Sequence, residues 1–223
     1  VEAVTQRGRL NTSTWLSNLR NPIRDFNQTN TFFQAQWRRS LSLNSDFQLR
    51  YAYSLDEGSE GFINPGNGTP YLYDPWGGKG QRHEIEAQHN ARLIDGVRLA
   101  WGGSWREDSV SAPTTLANQG QVKREVGRLF GNLELKPAQW VTGNLGLSWE
   151  EDSLAGSHLA PRASLAFHLD PRNTVRFGAS RAYRTGSVVD YRGDWRNGSK
   201  YQFRGDPGMP AERMDTWEIG YIG

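Results

Sequence analysis

The 223-residue chain contains no cysteine, which excludes a disulfide framework, a thiolate metal site and a cysteine nucleophile. Long apolar runs are missing as well. Hydrophobic residues make up 36% of the chain, mean hydropathy is −0.73, and no window nears the roughly 18 apolar residues of a membrane-spanning helix. Charge of one sign is also lacking. The 26 Lys and Arg nearly balance 24 Asp and Glu, for a net charge of +2, so nucleic acid finds no basic stripe to follow. A protein that crosses a membrane with strands stays open, because only every second strand residue meets lipid and the average stays polar.

What is present fits that possibility. Aromatics reach 12%, with 9 Trp, 8 Tyr and 9 Phe, enough for girdles at two membrane interfaces. Phe47, Leu49, Tyr51, Tyr53 and Leu55 alternate with Gln48, Arg50, Ala52 and Ser54, which gives a strand one apolar and one polar wall. Nine strands are predicted, at about 30–41, 47–55, 81–93, 97–106, 123–135, 140–150, 159–168, 174–183 and 214–222. Residues 1–10 contain the end of another, and 11–30 read as loop. Tight polar turns at Leu43–Asp46, Ile94–Gly96, Lys136–Gln139 and Asp170–Asn173 use the residues that turns favour. They alternate with polar connections at Asp56–Gly80, Glu107–Val122, Glu151–His158 and Arg184–Arg213, three of them long. Consecutive connections of an up-and-down barrel lie on opposite rims, so the short turns mark the periplasmic rim and the others the extracellular one.

The alternation sorts the side chains. Val97, Leu99, Trp101 and Trp105 face lipid, as do Val141, Leu145, Leu147 and Trp149, while Glu84, Glu86, Gln88, Asn90 and Arg92 line a wet lumen or meet a polar plug. His89 breaks the pattern by pointing at lipid, and Val126 and Phe130 break it by pointing inward.

The last third is more specific. Ala160-Pro161-Arg162 opens one strand, the next ends Ser180-Arg181-Ala182-Tyr183-Arg184, and Pro210-Ala211-Glu212 leads to Trp217-Glu218-Ile219-Gly220-Tyr221. This order closely resembles the barrel of TonB-dependent outer-membrane receptors, with Ala211 inserted, Ile219 in place of Leu and Gly186 in place of Pro. The resemblance implies an all-β, antiparallel up-and-down transmembrane barrel, present here incompletely as 9 or 10 strands of about 22. Residues 1–223 would be part of that one domain, with the plug domain outside them. It further implies a monomeric receptor in the Gram-negative outer membrane that imports a scarce ligand without covalent chemistry or a cofactor. A ferric siderophore is the first expectation, with haem, cobalamin and carbohydrate as others. Energy would come from TonB with ExbB and ExbD. A passive porin-like channel or a secreted all-β binding module are the competing expectations.

Two loops hold candidate ligand contacts: Tyr71, Tyr73 and Trp76 in one, and Tyr191, Trp195, Arg196, Tyr201 and Arg204 in the other. Aromatic rings with guanidinium groups suit an anionic aromatic ligand; packing of the loops on each other is the competing expectation for the same residues. Arg184, Glu218, Glu84 and Glu86 fall on the lumen parity, where they would brace a plug or stand solvated. Tyr183 suits a girdle, and Arg181 suits lipopolysaccharide phosphates. The four His are too scattered for a metal set. Asp190, Asp194 and Asp206 match no calcium loop, and Gly77–Gly80 lacks the phosphate-loop frame.

Overall fold

The computed structural model describes residues 6–8, 25–66, 68–117, 119–197 and 200–223. Ten strands form one antiparallel sheet: β1 (Gln6–Gly8), β2 (Asn27–Ser42), β3 (Ser45–Ser59), β6 (Gly78–Ile94), β7 (Val97–Ser111), β8 (Val122–Ala138), β9 (Val141–Asp152), β10 (Gly156–Asp170), β11 (Asn173–Arg184) and β14 (Glu212–Ile222), in that order. Two hairpins, β4 (Phe62–Asn64) with β5 (Tyr71–Tyr73) and β12 (Asp194–Asn197) with β13 (Lys200–Arg204), and one short helix, α1 (Val188–Arg192), occupy the connections. All nine predicted strands form, and Gln6–Gly8 pairs with β2 as the tenth. The predicted loop at 11–30 is corrected at its end, where β2 starts at Asn27; residues 11–24 lie outside the described residues.

Alternation sets the two faces. Leu145, Ala163, Ala179 and Trp217 form one rung across four strands, and Trp37, Leu49, Ala87, Gly103, Leu129, Trp149 and Leu159 form another. This apolar face is not covered by protein: Leu145 is 53% and Trp217 84% exposed. A secreted sandwich would bury such a face against a second layer. Among the described residues the only buried apolar side chains are Leu116, Val126, Val141, Val188 and Tyr191, and three of these belong to the connections. So large an open apolar surface needs another apolar phase.

Register fixes the slope of the wall. The rung from Ser45, the first residue of β3, runs through Ala91, Leu99, Leu133, Leu145 and Ala163 to Ala179. Ala179 lies six residues beyond Asn173, the first residue of β11. Six strand-to-strand steps thus climb six residues. With a rise of about 3.3 Å per residue and a spacing of about 4.8 Å, the strands tilt by about 35°, as a closing barrel requires.

The turns behave as their residues dictate. Gly96 has φ 77°, and a Cβ there would stand 2.5 Å from the Lys136 carbonyl oxygen, so the Asp95–Gly96 turn tolerates only glycine. The opposite ends differ from expectation. β7 runs to Ser111 and β6 begins at Gly78, so strands reach well into the segments read as loop. The Glu151–His158 connection shrinks to a three-residue turn, Ser153–Ala155.

The three side chains that broke the pattern find local partners. Trp101 Nε1 donates to His89 Nδ1 at 3.1 Å, and Ser45 Oγ lies 2.7 Å from His89 Nε2. Since the indole can only donate, the neutral imidazole carries its proton on Nε2 and gives it to Ser45. His89 therefore sits on the apolar face with both nitrogens bonded. Inward Phe130 lies over Gly102, whose missing Cβ would meet its Cζ at 2.8 Å. Val126 is buried at the mouth.

Arg at a lipid-facing midplane site costs about 2–4 kcal/mol in barrels of this kind. Leu145→Arg should therefore deplete the folded, heat-modifiable form of the full-length protein, whereas Asn144→Arg, on the polar face, should leave it near wild type. Equal losses would mean that the register does not divide lipid from lumen as assigned.

Candidate functional site

Above the apolar band the outward positions turn polar: Glu57 pairs with Lys79 at 2.9 Å, and Glu107 with Lys123 at 3.2 Å. Both strand faces are wet here, so side chains rather than alternation shape the connections. They close over one another. Leu116, from the β7–β8 connection, is fully buried, and Val188 and Tyr191 of α1 are buried as well. The helix starts at a capping box, in which Ser187 Oγ accepts from the Asp190 amide at 3.2 Å and Asp190 accepts from the Ser187 amide at 2.7 Å. Those bonds from Ser187, backbone first, hold the Asp190 carboxyl below its ordinary range. The Asp194 amide donates to Thr115 O at 2.8 Å, and Gln119 Nε2 to Arg192 O at 2.9 Å.

An ion pair anchors this cap. Arg124 Nε donates to both Asp152 oxygens at 3.1 and 3.0 Å, its Nη2 also reaches Asp152, and the side chains are 7% and 0% exposed. Arg124 Nη1 then donates to Gly186 O at 2.8 Å and Nη2 to Thr185 Oγ1 at 2.6 Å. On the other side, Asp152 Oδ1 accepts the Leu154 and Ala155 amides at 2.9 and 3.3 Å, which shapes the short turn. One guanidinium thus ties β8, the β9–β10 turn and the segment leaving β11. Outward Lys123, Glu125 and Glu151 flank the pair, so it lies beyond the apolar band. Burial pushes the Asp152 carboxyl up, but the Arg124 bond and charge with the two amides outweigh it and hold the group below the usual carboxylate range. Sequence reading missed this pair, since nothing links positions 28 residues apart.

The predicted contact residues divide into two sets. Tyr191 is 1% exposed, and its hydroxyl accepts the Gly186 amide at 3.3 Å. Trp195 Nε1 donates to Tyr73 OH at 2.9 Å, with Trp76 edge-on to Trp195 at 5.8 Å and Tyr71 edge-on to Tyr73 at 6.0 Å. Those contacts join the β4–β5 and β12–β13 hairpins. Tyr201 is instead 48% exposed, with the Arg196 and Arg204 guanidinium carbons 4.6 and 5.4 Å from its ring centroid. Asp194 fixes Arg196 through bonds of 2.6 and 2.5 Å, and the Arg196 bond lowers the Asp194 carboxyl's pKa. Trp76 and Tyr71 also remain exposed.

On the polar face, Arg50 bonds Glu84 at 2.7 Å and approaches Glu86 at 3.6 Å, while Arg128 lies 3.9 Å from Glu86. Glu218 lines a polar cleft of about 500 Å³ with Arg162, Arg176, Asn132 and Asn144. Arg184 is held in two bonds, 2.9 and 2.8 Å, by Glu212. Tyr183 stacks on His158 at 4.8 Å. Among the described residues no three acidic or imidazole groups gather to hold a metal.

The family model described as "TonB dependent receptor-like, beta-barrel" matches residues 3–222. The chain is 23% identical over 228 residues to the ferric enterobactin receptor of Pseudomonas aeruginosa, covering 88% of this chain and 28% of that protein. Its structure is similar to that of a variant of the P. aeruginosa ferric enterobactin receptor, with a TM-score of 0.74 at 16% identity over 90% of this chain and 33% of the other. It is also similar to the siderophore receptor PirA of that organism, with a TM-score of 0.68 at 16% identity over 89% and 38%. The chain therefore spans between 28% and 38% of the length of these relatives, and the structural likeness concerns the fold.

Leaving one partner of a buried ion pair alone costs about 3 kcal/mol. Asp152→Asn should speed amide hydrogen exchange across residues 185–193 on the order of a hundredfold while the strands stay protected. The Asp152 pKa is lower folded than unfolded, so its contribution is complete above the unfolded value of about 3.9. Protection of these amides should persist as pH falls through about 4 and fail only below it, as the folded carboxyl protonates.

Proposed function

Because the chain belongs to the TonB-dependent receptor β-barrel family, we propose that the whole protein sits in the outer membrane as a receptor and importer of a ferric siderophore of the catecholate class. The family assignment supports this reading over the passive channel considered from sequence. The observation that carries the ligand reading is the exposed Arg196–Tyr201–Arg204 group at the mouth. A ferric catecholate is both anionic and aromatic, so it meets guanidinium charge and ring faces together. Two relatives described as ferric enterobactin and siderophore receptors support this class over haem, cobalamin or carbohydrate.

In this reading Arg196, Tyr201 and Arg204 make first contact, with Trp76 and Tyr71 facing the ligand from the second hairpin. Trp195, Tyr73 and Tyr191 hold those residues in place. Glu84, Glu86, Glu218 and Arg184 face the plug domain, and TonB with ExbB and ExbD supplies the energy that moves it. The iron complex is cargo and undergoes no covalent change.

The hairpin allows a clean test. The Gly205 amide donates to Gly193 O at 2.7 Å, so Asp194–Arg204 can be excised and the ends rejoined. The full-length variant should assemble normally and bind ferric enterobactin more weakly. Tyr201→Ala alone should cost about 1 kcal/mol, roughly fivefold in Kd. Unchanged binding in both variants would remove the hairpin from the site.

A further inference from the structure

Building on the siderophore reading above, we infer that the β12–β13 hairpin recognises one catecholate arm of the iron complex rather than the charge of the whole, and that Asp194 is the positioning residue that sets this preference. The hairpin's register creates the site. Asp194 pairs with Arg204, Trp195 with Phe203 and Arg196 with Tyr201, so Gln202 is skipped. A strand alternates its faces, and unbroken pairing would put Tyr201 and Arg204 on opposite sides. The bulge at Gln202 brings them to one side, together with Asp194 and Arg196. Trp195 takes the other side, where it donates to Tyr73 OH at 2.9 Å and holds the hairpin against β5.

The two arginines on that side are held differently. Arg196 gives its edge to Asp194: Nε donates to Oδ1 at 2.6 Å and Nη2 to Oδ2 at 2.5 Å. A guanidinium bonded in this way keeps only Nη1 and its two faces for other partners. Its central carbon lies 4.6 Å from the Tyr201 ring centroid, and the side chain is still 47% exposed. Asp194 also stands opposite Arg204 in register, but both of its oxygens are bonded to Arg196. Arg204 lies 5.4 Å from the same ring and forms no ion pair among the described residues. Its edge is therefore free.

Two guanidinium groups thus have two tasks. Arg196, fixed over Tyr201, is a plate against which an aromatic ring stacks. Arg204 offers its fork to anionic oxygens. A ring with oxyanions on its edge satisfies both, and a catecholate arm is such a group. Two guanidinium groups and one carboxylate leave a single positive charge on this side of the hairpin, which one arm suffices to meet. Further anionic arms on the same iron centre find no second free fork here. Without the Asp194 carboxylate, the Arg196 edge would be free as well, and the hairpin would attract total charge.

Assembly of each full-length variant is scored first, by heat-modifiable mobility. Binding of an iron-free arm, dihydroxybenzoate, is then read by saturation-transfer NMR, with cyclohexanecarboxylate as the non-aromatic control. The wild type should give a signal for dihydroxybenzoate alone. Arg196→Lys, which keeps the charge and loses the plate, and Arg204→Gln, which loses the fork, should each reduce that signal at least fivefold. Equilibrium binding of three iron(III) complexes follows: a trianionic tris-catecholate, a monoanionic complex of one catecholate and two hydroxamate arms, and a neutral tris-hydroxamate. The wild type should bind the first two within fivefold of each other and the third at least tenfold more weakly. Asp194→Asn should favour the trianionic complex over the monoanionic one at least tenfold, with a steeper loss of affinity as salt rises. The proposal is overturned if the wild type gives no dihydroxybenzoate signal, if Arg196→Lys and Arg204→Gln leave that signal unchanged, if the wild type already ranks the complexes by total charge, or if Asp194→Asn ranks them as the wild type does. A wild type that binds the arm but none of the three complexes would overturn the siderophore reading instead, and recognition of the arm would stand.

Discussion

Every backbone amide and carbonyl in this wall has to find its partner in the wall itself, because an apolar phase on one side offers none. The uninterrupted antiparallel ladder from β1 to β14 is the consequence. Once the ladder is continuous, alternation can do only one thing with side chains, which is to place odd and even positions on opposite faces. The stagger of about one residue per strand then fixes the tilt, and the tilt determines where each strand leaves the apolar band. That is why the charged outward positions step down from Lys79 on β6 to the rung that Glu107 on β7 shares with Glu125 on β8, and then to the rung of Glu151 on β9.

Where the strands rise above the band, water can satisfy the backbone, and the constraint lifts. Structure there depends on particular side chains. The Arg124–Asp152 pair, the Ser187–Asp190 capping box and the bonds of Asp194 to Thr115 and of Gln119 to Arg192 together tie three connections to one another. For the binding role proposed above, the consequence is preorganisation. Tyr201, Arg196 and Arg204 project from a hairpin whose root is bonded to Thr115 and whose Trp195 is bonded to Tyr73. A ligand meeting such a surface orders few groups on arrival and loses correspondingly little affinity to entropy.

This division also explains which parts of the molecule are legible in sequence. Within the band, alternation is forced by lipid, so Phe47–Leu55 and Val97–Trp105 announce themselves, and Asp95–Gly96 punctuates them. Family membership was legible too, because the Pro161-Arg162, Arg181–Arg184 and Glu218–Tyr221 motifs occur in fixed order. Above the band no face needs to be apolar. Residues such as Glu107–Ser111 then carry no period, and their strand continues unannounced. The Arg124–Asp152 pair and the burial of Tyr191 are long-range facts, created by register and loop packing, with no local trace. His89 looked like an anomaly only because its partners Trp101 and Ser45 come from neighbouring strands.

The distribution of charge assigns the two polar regions different tasks. On the inner wall, Arg50 is matched by Glu84 and Glu86, and Arg82 and Arg106 share Asp108. Charges paired in this way across β3, β6 and β7 present little net field along that part of the wall. At the mouth, Arg196 and Arg204 flank Tyr201 with Asp194 as the carboxylate bonded to Arg196. The positive excess thus stands at the first surface that an approaching anion meets, where field attraction raises the encounter rate. Under the proposed function, selection by charge belongs to the entrance. In that proposal the wall of β3, β6 and β7 below needs only to be polar and continuous, which the pairing of its charges allows.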